Sequence, residues 1–282
     1  MSTKDTGKTH HTTATGVAVE TVKAHAGPAD ITLFGGCFCP FVQRVWIALE
    51  YLKIPYQVNE VDPYKKPADL LEVSPKGLVP ALKLNNYNPP RALNESTVIL
   101  DYLEELSLQK YVEADRHLLP ELSDIYARAQ ARLQAHHINN SLIPAFYRYL
   151  QAQEPEKQIQ HGKEFQDAIE KLVGMFEDCE KKGLRGGLWS TRGEKSGELG
   201  WADVMAAPWL FRATNVLAHY RGFVLPPSTK FKAYLDRLLS HPNVKSTCST
   251  LELYLDSYER YAVNRPNTSQ VADAINAGRA LP

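Results

Sequence analysis

Cysteine is scarce in these 282 residues: Cys37, Cys39, Cys179 and Cys248 are all there is, and only the first two stand close together. That excludes a disulfide framework, and no spacing matches a zinc site, so no metal is expected. Cys39 does not open a C-x-x-C redox pair either, because Val42 stands where the second cysteine would be. Net charge is missing as well. Lys plus Arg and Asp plus Glu both total 32, which leaves no basic surface for wholesale binding of nucleic acid or an anionic membrane. There is no run of 18 apolar residues to span a bilayer. The first 29 residues have no compact apolar core, so they read as a flexible leader rather than a secretory signal, and a cytoplasmic location is the default. The three Asn-x-Ser/Thr matches, at Asn94, Asn139 and Asn267, are then chance. The remainder is ordinary globular composition, 44% hydrophobic and 23% charged, at a length that points to two domains.

The first domain, residues 30–107, reads β-α-β-α-β-β-α. Its signals are the apolar run Ile31 to Phe34, a helical pattern through Val42, Val45, Trp46, Leu49 and Leu52, and an alternating strand from Tyr56 to Asp62. A short helix follows at Pro67 to Val73, a third strand at Val79 to Leu84, and a turn cluster, Asn85 to Pro90, before a short fourth strand. Ser96 caps a helix built on Val98, Ile99, Tyr102, Leu103 and Leu106. An all-helical domain occupies residues 118–262, in segments Ser123 to Leu150 (kinked at Pro144), Glu156 to Lys182, Ala202 to His219, Phe231 to Leu239 and Asn243 to Tyr261. Residues 263–282 form a polar tail with a short helix from Gln270 to Ala277. The fold class expected is an α/β thioredoxin-like domain followed by an all-α domain.

Chemistry concentrates in the segment Gly35-Gly36-Cys37-Phe38-Cys39-Pro40-Phe41. Cys39 sits where the first strand hands over to a helix, with Pro40 at the first helical position. The unpaired N–H groups and positive end of that helix stabilise thiolate over thiol, and cysteine reacts as thiolate, so Cys39 is the expected nucleophile. Val79-Pro80 opens the third strand, and a cis bond there would turn the Val79 backbone outward to pair with an extended peptide. At Glu95-Ser96 the hydroxyl and helix N–H groups suit a carboxylate, while the acidic side chain suits an ammonium. A thiol, a backbone clamp and a zwitterion grip together describe a glutathione site.

Cys39-Pro40-Phe41, Lys66-Pro67, Ser74 through Leu82, and Asn94-Glu95-Ser96, followed by a helical half, resemble the omega-class cytosolic glutathione transferases over about Ile31 to Tyr261. The resemblance implies a mixed disulfide between Cys39 and glutathione, with glutathione as co-substrate. It implies that Phe41 and Lys66 flank the tripeptide (Lys65 being the alternative lysine), that Val79 clamps beside cis Pro80, and that Glu95 and Ser96 hold the γ-glutamyl end. Gly200-Trp201-Ala202-Asp203 resembles the family's helix-capping segment, with Gly200 in place of the usual hydroxyl and Asp203 structural. The second-substrate pocket is expected at Trp209, Arg132 and His136, for small hydrophobic or aromatic co-substrates. A homodimer is implied. Cys37 is either passive or a resolving thiol. The implied activity is thiol transfer and dehydroascorbate-type reduction with weak conjugation. The alternative is a non-enzymatic binding protein, either a ligandin for aromatic molecules or an intracellular chloride-channel-like protein.

Overall fold

The computed structural model describes residues 10–112, 115–184, 187–190, 197–267 and 269–282. The run of β-branched and aromatic residues at Ile31–Gly35 forms β1, buried along its whole length. It pairs parallel with β2 (Gln57–Glu60) and antiparallel with β3 (Ala81–Leu84), and β3 pairs antiparallel with β4 (Arg91–Asn94). The resulting sheet has four strands in the order β2-β1-β3-β4. Helices α2 (Pro40–Leu52), α3 (Ala68–Val73) and α4 (Ser96–Lys110) complete this half in the expected order.

The rest is helical: α5 (Ile125–His137), α6 (Ile143–Gln151), α7 (Pro155–Lys181), α8 (Trp201–Arg212), α9 (Ala218–Arg221), α10 (Thr229–Ser240), α11 (Pro242–Lys245), α12 (Leu251–Ala262) and α13 (Gln270–Asn276). Two π-helical turns interrupt it, Ile138–Leu142 between α5 and α6 and Ala213–Leu217 between α8 and α9. The first lies just before Pro144, which has no N–H to continue the α ladder, so the expected segment Ser123 to Leu150 is interrupted there by a π turn rather than running as one helix. The last segment, expected as one helix from Asn243, is instead broken between α11 and α12. The run Ser246-Thr247-Cys248-Ser249-Thr250 explains the break, because its hydroxyls compete for backbone groups. Thr247 Oγ1 donates to the Val244 carbonyl at 2.8 Å and Ser246 Oγ to that of Asn243 at 3.3 Å.

Residues 10–29 correct the expectation of a flexible leader; residues 1–9 lie outside the described residues. A helix, α1 (Val17–Ala24), is packed through buried Ala18 and Thr21. Ala14 N donates to Glu60 Oε1 at 2.6 Å, Thr21 Oγ1 to the Ser246 carbonyl at 2.8 Å, and Thr250 N to Thr15 Oγ1 at 3.1 Å. The strap therefore ties the sheet edge to the helical half with small side chains and hydrogen bonds. Hydropathy has no purchase on such a segment.

One core cluster runs through both halves, and a smaller one lies under α3 around Phe34, Val61, Leu70 and Val73. Helix α2 is enclosed on nearly every side, so that even Gln43 and Arg44 are buried. No helix among the described residues is long and apolar enough to cross a membrane.

The start of α8 shows why glycine replaces a capping hydroxyl. Asp203 Oδ2 accepts from Gly200 N and Leu188 N, both at 2.8 Å, and Oδ1 accepts from the Tyr234 hydroxyl at 2.8 Å. Burial pushes this carboxyl up to about 6 against those donors. A Cβ on Gly200 would meet Gly187 Cα at 2.9 Å, and one on Gly187 would meet Asp203 Oδ2 at 2.1 Å. The two backbones touch, and Asp203 binds both. Gly200→Ser, a gain of a few tenths of a kcal/mol by cap preference alone, is therefore expected to destabilise the protein by about 1–3 kcal/mol through overpacking. A urea midpoint unchanged or raised would contradict this.

Candidate active site

The turn after β1 presents Cys39. Cys39 N donates to the Gly36 carbonyl at 3.0 Å, and its own carbonyl accepts from Gln43 N at 3.0 Å, the first bond of α2. With extended dihedrals (φ −74°, ψ 123°) and Pro40 behind it, Cys39 is the N-cap of α2. Its Sγ lies 3.8 Å from the Val79 carbonyl, and the Val79–Pro80 bond is cis.

Beside this pair opens a cleft of about 640 Å³. Phe41, Val79, Pro80, Glu95 and Ser96 all line it, so five of the expected residues share one space, while Cys39, half-buried, is not among the lining residues but has its sulfur against Val79. Glu95 holds φ 69°, a left-handed conformation that costs a non-glycine residue of order 1–3 kcal/mol and concentrates at ligand clamps. Ser96 begins α4 and is buried, while Glu95 is exposed.

Four expected residues are placed elsewhere. Lys66 turns its Nζ to the Lys76 carbonyl at 2.9 Å, bracing the loop before Val79, and Lys76 lines the cleft in its stead. Lys65, the alternative, is exposed and 3.8 Å from Asp62. Trp209 is fully buried and forms a shelf under Arg44, whose guanidinium sits 4.5 Å from its ring. Arg132 is exposed and 3.4 Å from Asp101 on α4. His136 is exposed and contacts Asn140, which lines the cleft while His136 does not. A charge or ring at helical spacing says which residues share a face but not which face meets the cleft, and here neither α5 side chain lines it.

Other cleft residues were not anticipated: Ser74, Asn139, Asn140 and the segment 278–282, which follows α13 back over the opening. Nor was the pair of buried cations. Arg44 is 1% exposed and Arg212 0%. Arg212 Nη2 donates to the Phe38 carbonyl at 2.8 Å, and Nη1 donates to Gln43 Oε1 at 2.6 Å and the Pro208 carbonyl at 2.8 Å. The signal was present in the sequence, since Arg44 interrupts an otherwise apolar stretch on the helix that Cys39 begins.

Burial pushes the Cys39 thiol up, opposed by the N–H groups of Val42 and Phe41 and by Arg212 and Arg44. The expectation from the helix start counted only the lowering influences; in the folded protein burial outweighs them. Thiol exchange does not require a very acidic thiol, because nucleophilicity rises with basicity. Cys37 is held differently. Its Sγ donates to the His11 carbonyl at 3.4 Å, and burial, with Glu60 nearby, pushes it up to about 12.

Comparison with known proteins bears on the family of the chain as a whole. The model for the glutathione S-transferase N-terminal domain matches residues 38–106. The crystal structure of glutathione transferase Omega 3C from Trametes versicolor superposes with a TM-score of 0.73, at 35% identity over 89% of this chain and 98% of that one. The chain belongs to the glutathione transferase family. It is also 28% identical over 240 residues to glutathione S-transferase DHAR2 of Arabidopsis thaliana, across 84% of this chain and 95% of that protein. A probable glutathione transferase omega-2 of Caenorhabditis briggsae is 28% identical over 249 residues, 85% of this chain and 89% of that protein. This omega-like transferase therefore has the glutathione transferase fold and binds glutathione as a substrate.

The two thiols of this transferase sit in different settings, Cys39 against the cleft residue Val79 and Cys37 against the strap at His11. Iodoacetamide at pH 8 is expected to alkylate Cys39 well before Cys37, read by peptide mass spectrometry of the folded protein. Equal rates at the two positions would contradict the assignment of Cys37 as the sheltered thiol.

Proposed function

We propose that this glutathione transferase works by thiol exchange at Cys39 rather than by conjugation. The Cys39 thiolate attacks the glutathione sulfur of a mixed disulfide R–S–SG, the S–S bond breaks, and RS⁻ leaves and takes up a proton. Cys39–S–SG forms in the same step. The thiolate of a free glutathione then attacks the Cys39-bound glutathionyl sulfur, releasing oxidised glutathione and restoring the Cys39 thiolate, so R–S–SG and one free glutathione become R–SH and oxidised glutathione.

The observation that carries this reading is the Cys39 sulfur 3.8 Å from the carbonyl of Val79, a residue that lines the same cleft as Glu95 and Ser96. A peptide paired with Val79 would present its own sulfur to Cys39, with its γ-glutamyl end towards Ser96. Phe41 flanks it, and Lys76 takes the part first given to Lys66. Because the Cys39 sulfur stands in the path of the glutathione sulfur, transfer of glutathione to electrophiles is slow. The similarity to DHAR and omega proteins supports reduction of dehydroascorbate-type substrates, with co-substrates entering past Asn140 and residues 278–282. Cys37, whose hydrogen bond is to the His11 carbonyl, is passive, and the disulfide partner of Cys39 comes from glutathione. Cys39→Ser is expected to abolish thiol transfer, and oxidised glutathione is expected to add a glutathionyl group to Cys39 alone by mass spectrometry. Full activity in that variant, or modification at Cys37, would sink the reading.

The working unit is a homodimer. Val98 on α4 and Ile125, Tyr126 and Leu133 on α5 are large apolar side chains left exposed, on helices that the Arg132–Asp101 pair holds together. Sedimentation at micromolar concentration is expected to give twice the chain mass, whereas a monomer would count against this assembly.

A further inference from the structure

Arg44 reaches from α2 to the cleft wall with no carboxylate in contact among the described residues. Its Nη1 donates to Ser96 Oγ and to Asn139 Oδ1, both at 3.2 Å, and its Nη2 to Asn139 Oδ1 at 3.2 Å and the Met205 carbonyl at 3.3 Å. Its Nε, buried, has no hydrogen-bond partner among the described residues. A guanidinium has only donors, which decides the state of both groups it touches. Ser96 Oγ must accept, so its single O–H hydrogen is directed elsewhere. Asn139 Oδ1 must accept, so its carboxamide is turned with the NH₂ away from Arg44. Among the described residues no acceptor takes either hydrogen, and both residues line the cleft. Since Ser96 Oγ and Asn139 Oδ1 are bonded to the same nitrogen, the two side chains meet at the cleft wall.

We propose that Ser96 and Asn139 form a paired donor for the α-carboxylate of the γ-glutamyl end of glutathione, with Arg44 as the positioning residue that sets both. The proposal rests on the reading that this end of the tripeptide lies at Ser96. Two adjacent donors match the two oxygens of a carboxylate, and the buried, uncompensated charge of Arg44 behind them favours an anion at that spot and no other. Asn139 comes from the π-helical turn of the helical half, so both halves of the chain then bind the glutathione.

The test compares glutathione with γ-aminobutyryl-cysteinyl-glycine, which differs only in having no α-carboxylate, in the full-length chain. Asn139→Asp keeps an acceptor for Arg44 and so the fold, but removes the donor. KM for glutathione is expected to rise roughly tenfold to a hundredfold, the range for a hydrogen bond to a charged group, with kcat little changed. KM for the analogue, already high, is expected to stay where it is in the wild type. An unchanged KM for glutathione, or an equal rise for both peptides, overturns the proposal. Ser96→Ala separates it from the reading beneath: if that variant also leaves the glutathione KM unchanged, the γ-glutamyl end is not at Ser96. If Ser96→Ala raises KM and Asn139→Asp does not, the roles of Asn139 and Arg44 alone are wrong.

Discussion

The guanidinium of Arg212 crosses from the end of α8 to the turn that carries Cys39, donating to the Phe38 carbonyl and to the Gln43 side chain. Gln43 passes the connection on, its Nε2 donating to Thr247 Oγ1 at 3.2 Å beyond α11. Tyr254 and Tyr258 cover the cation, with ring centroids 4.7 and 5.5 Å away. A fully buried charge without a carboxylate costs several kcal/mol to desolvate. Three charge-assisted hydrogen bonds and two aromatic faces offset that cost. The same contacts register the two halves of the chain against each other, and the cleft exists only between halves so registered. Without Arg212, the Phe38 carbonyl, one residue from the nucleophile, would keep only the longer bond from the Tyr258 hydroxyl at 3.4 Å.

Arg44 repeats the arrangement on the other side of α2, held by Ser96, Asn139 and the Trp209 shelf. Burial pulls its guanidinium down to about 9, so it remains a cation at neutral pH. Two uncompensated positive charges thus flank the first turn of the helix that Cys39 caps. They act with the Val42 and Phe41 N–H groups against the burial that raises the thiol. The reactivity of Cys39 is a balance between these opposed effects rather than a property of the helix end alone.

Much of the first half was legible along the chain because its elements are short and punctuated. The strand at Ile31, the proline at the first position of α2 and the Asn-Pro turn cluster each carry a local steric reason, and the structure has the same element order. Ser96, expected as a cap, is instead the first residue of α4, with Glu95 as the N-cap and no side-chain cap bond. The strap at residues 10–29 was not legible, since Ala14, Ala18 and Thr21 pack by fitting close rather than by being large. The break between α11 and α12 was missed for a different reason. Apolar periodicity continues across it, while side-chain hydroxyls take the backbone groups.

The sequence by itself determined the residue types and their local frames: a cysteine capping a helix, a proline opening a strand, an acid and a serine at a helix start. These depend on neighbours within a turn or two, which is the range over which dihedral preference and capping act. Only the tertiary structure decided which of the distant residues meet them. It placed Arg44 and Asn139 at Ser96, buried Trp209 beneath Arg44, put Lys76 rather than Lys66 on the cleft lining, and left Arg132 and His136 out of it. Helical spacing specifies a face, but the direction of that face is set by long-range packing of α2 against α4 and α8. Cys39, the first feature to stand out, kept its place as the candidate nucleophile, while its acidity passed from the helix end to the burial and the two arginines that surround it.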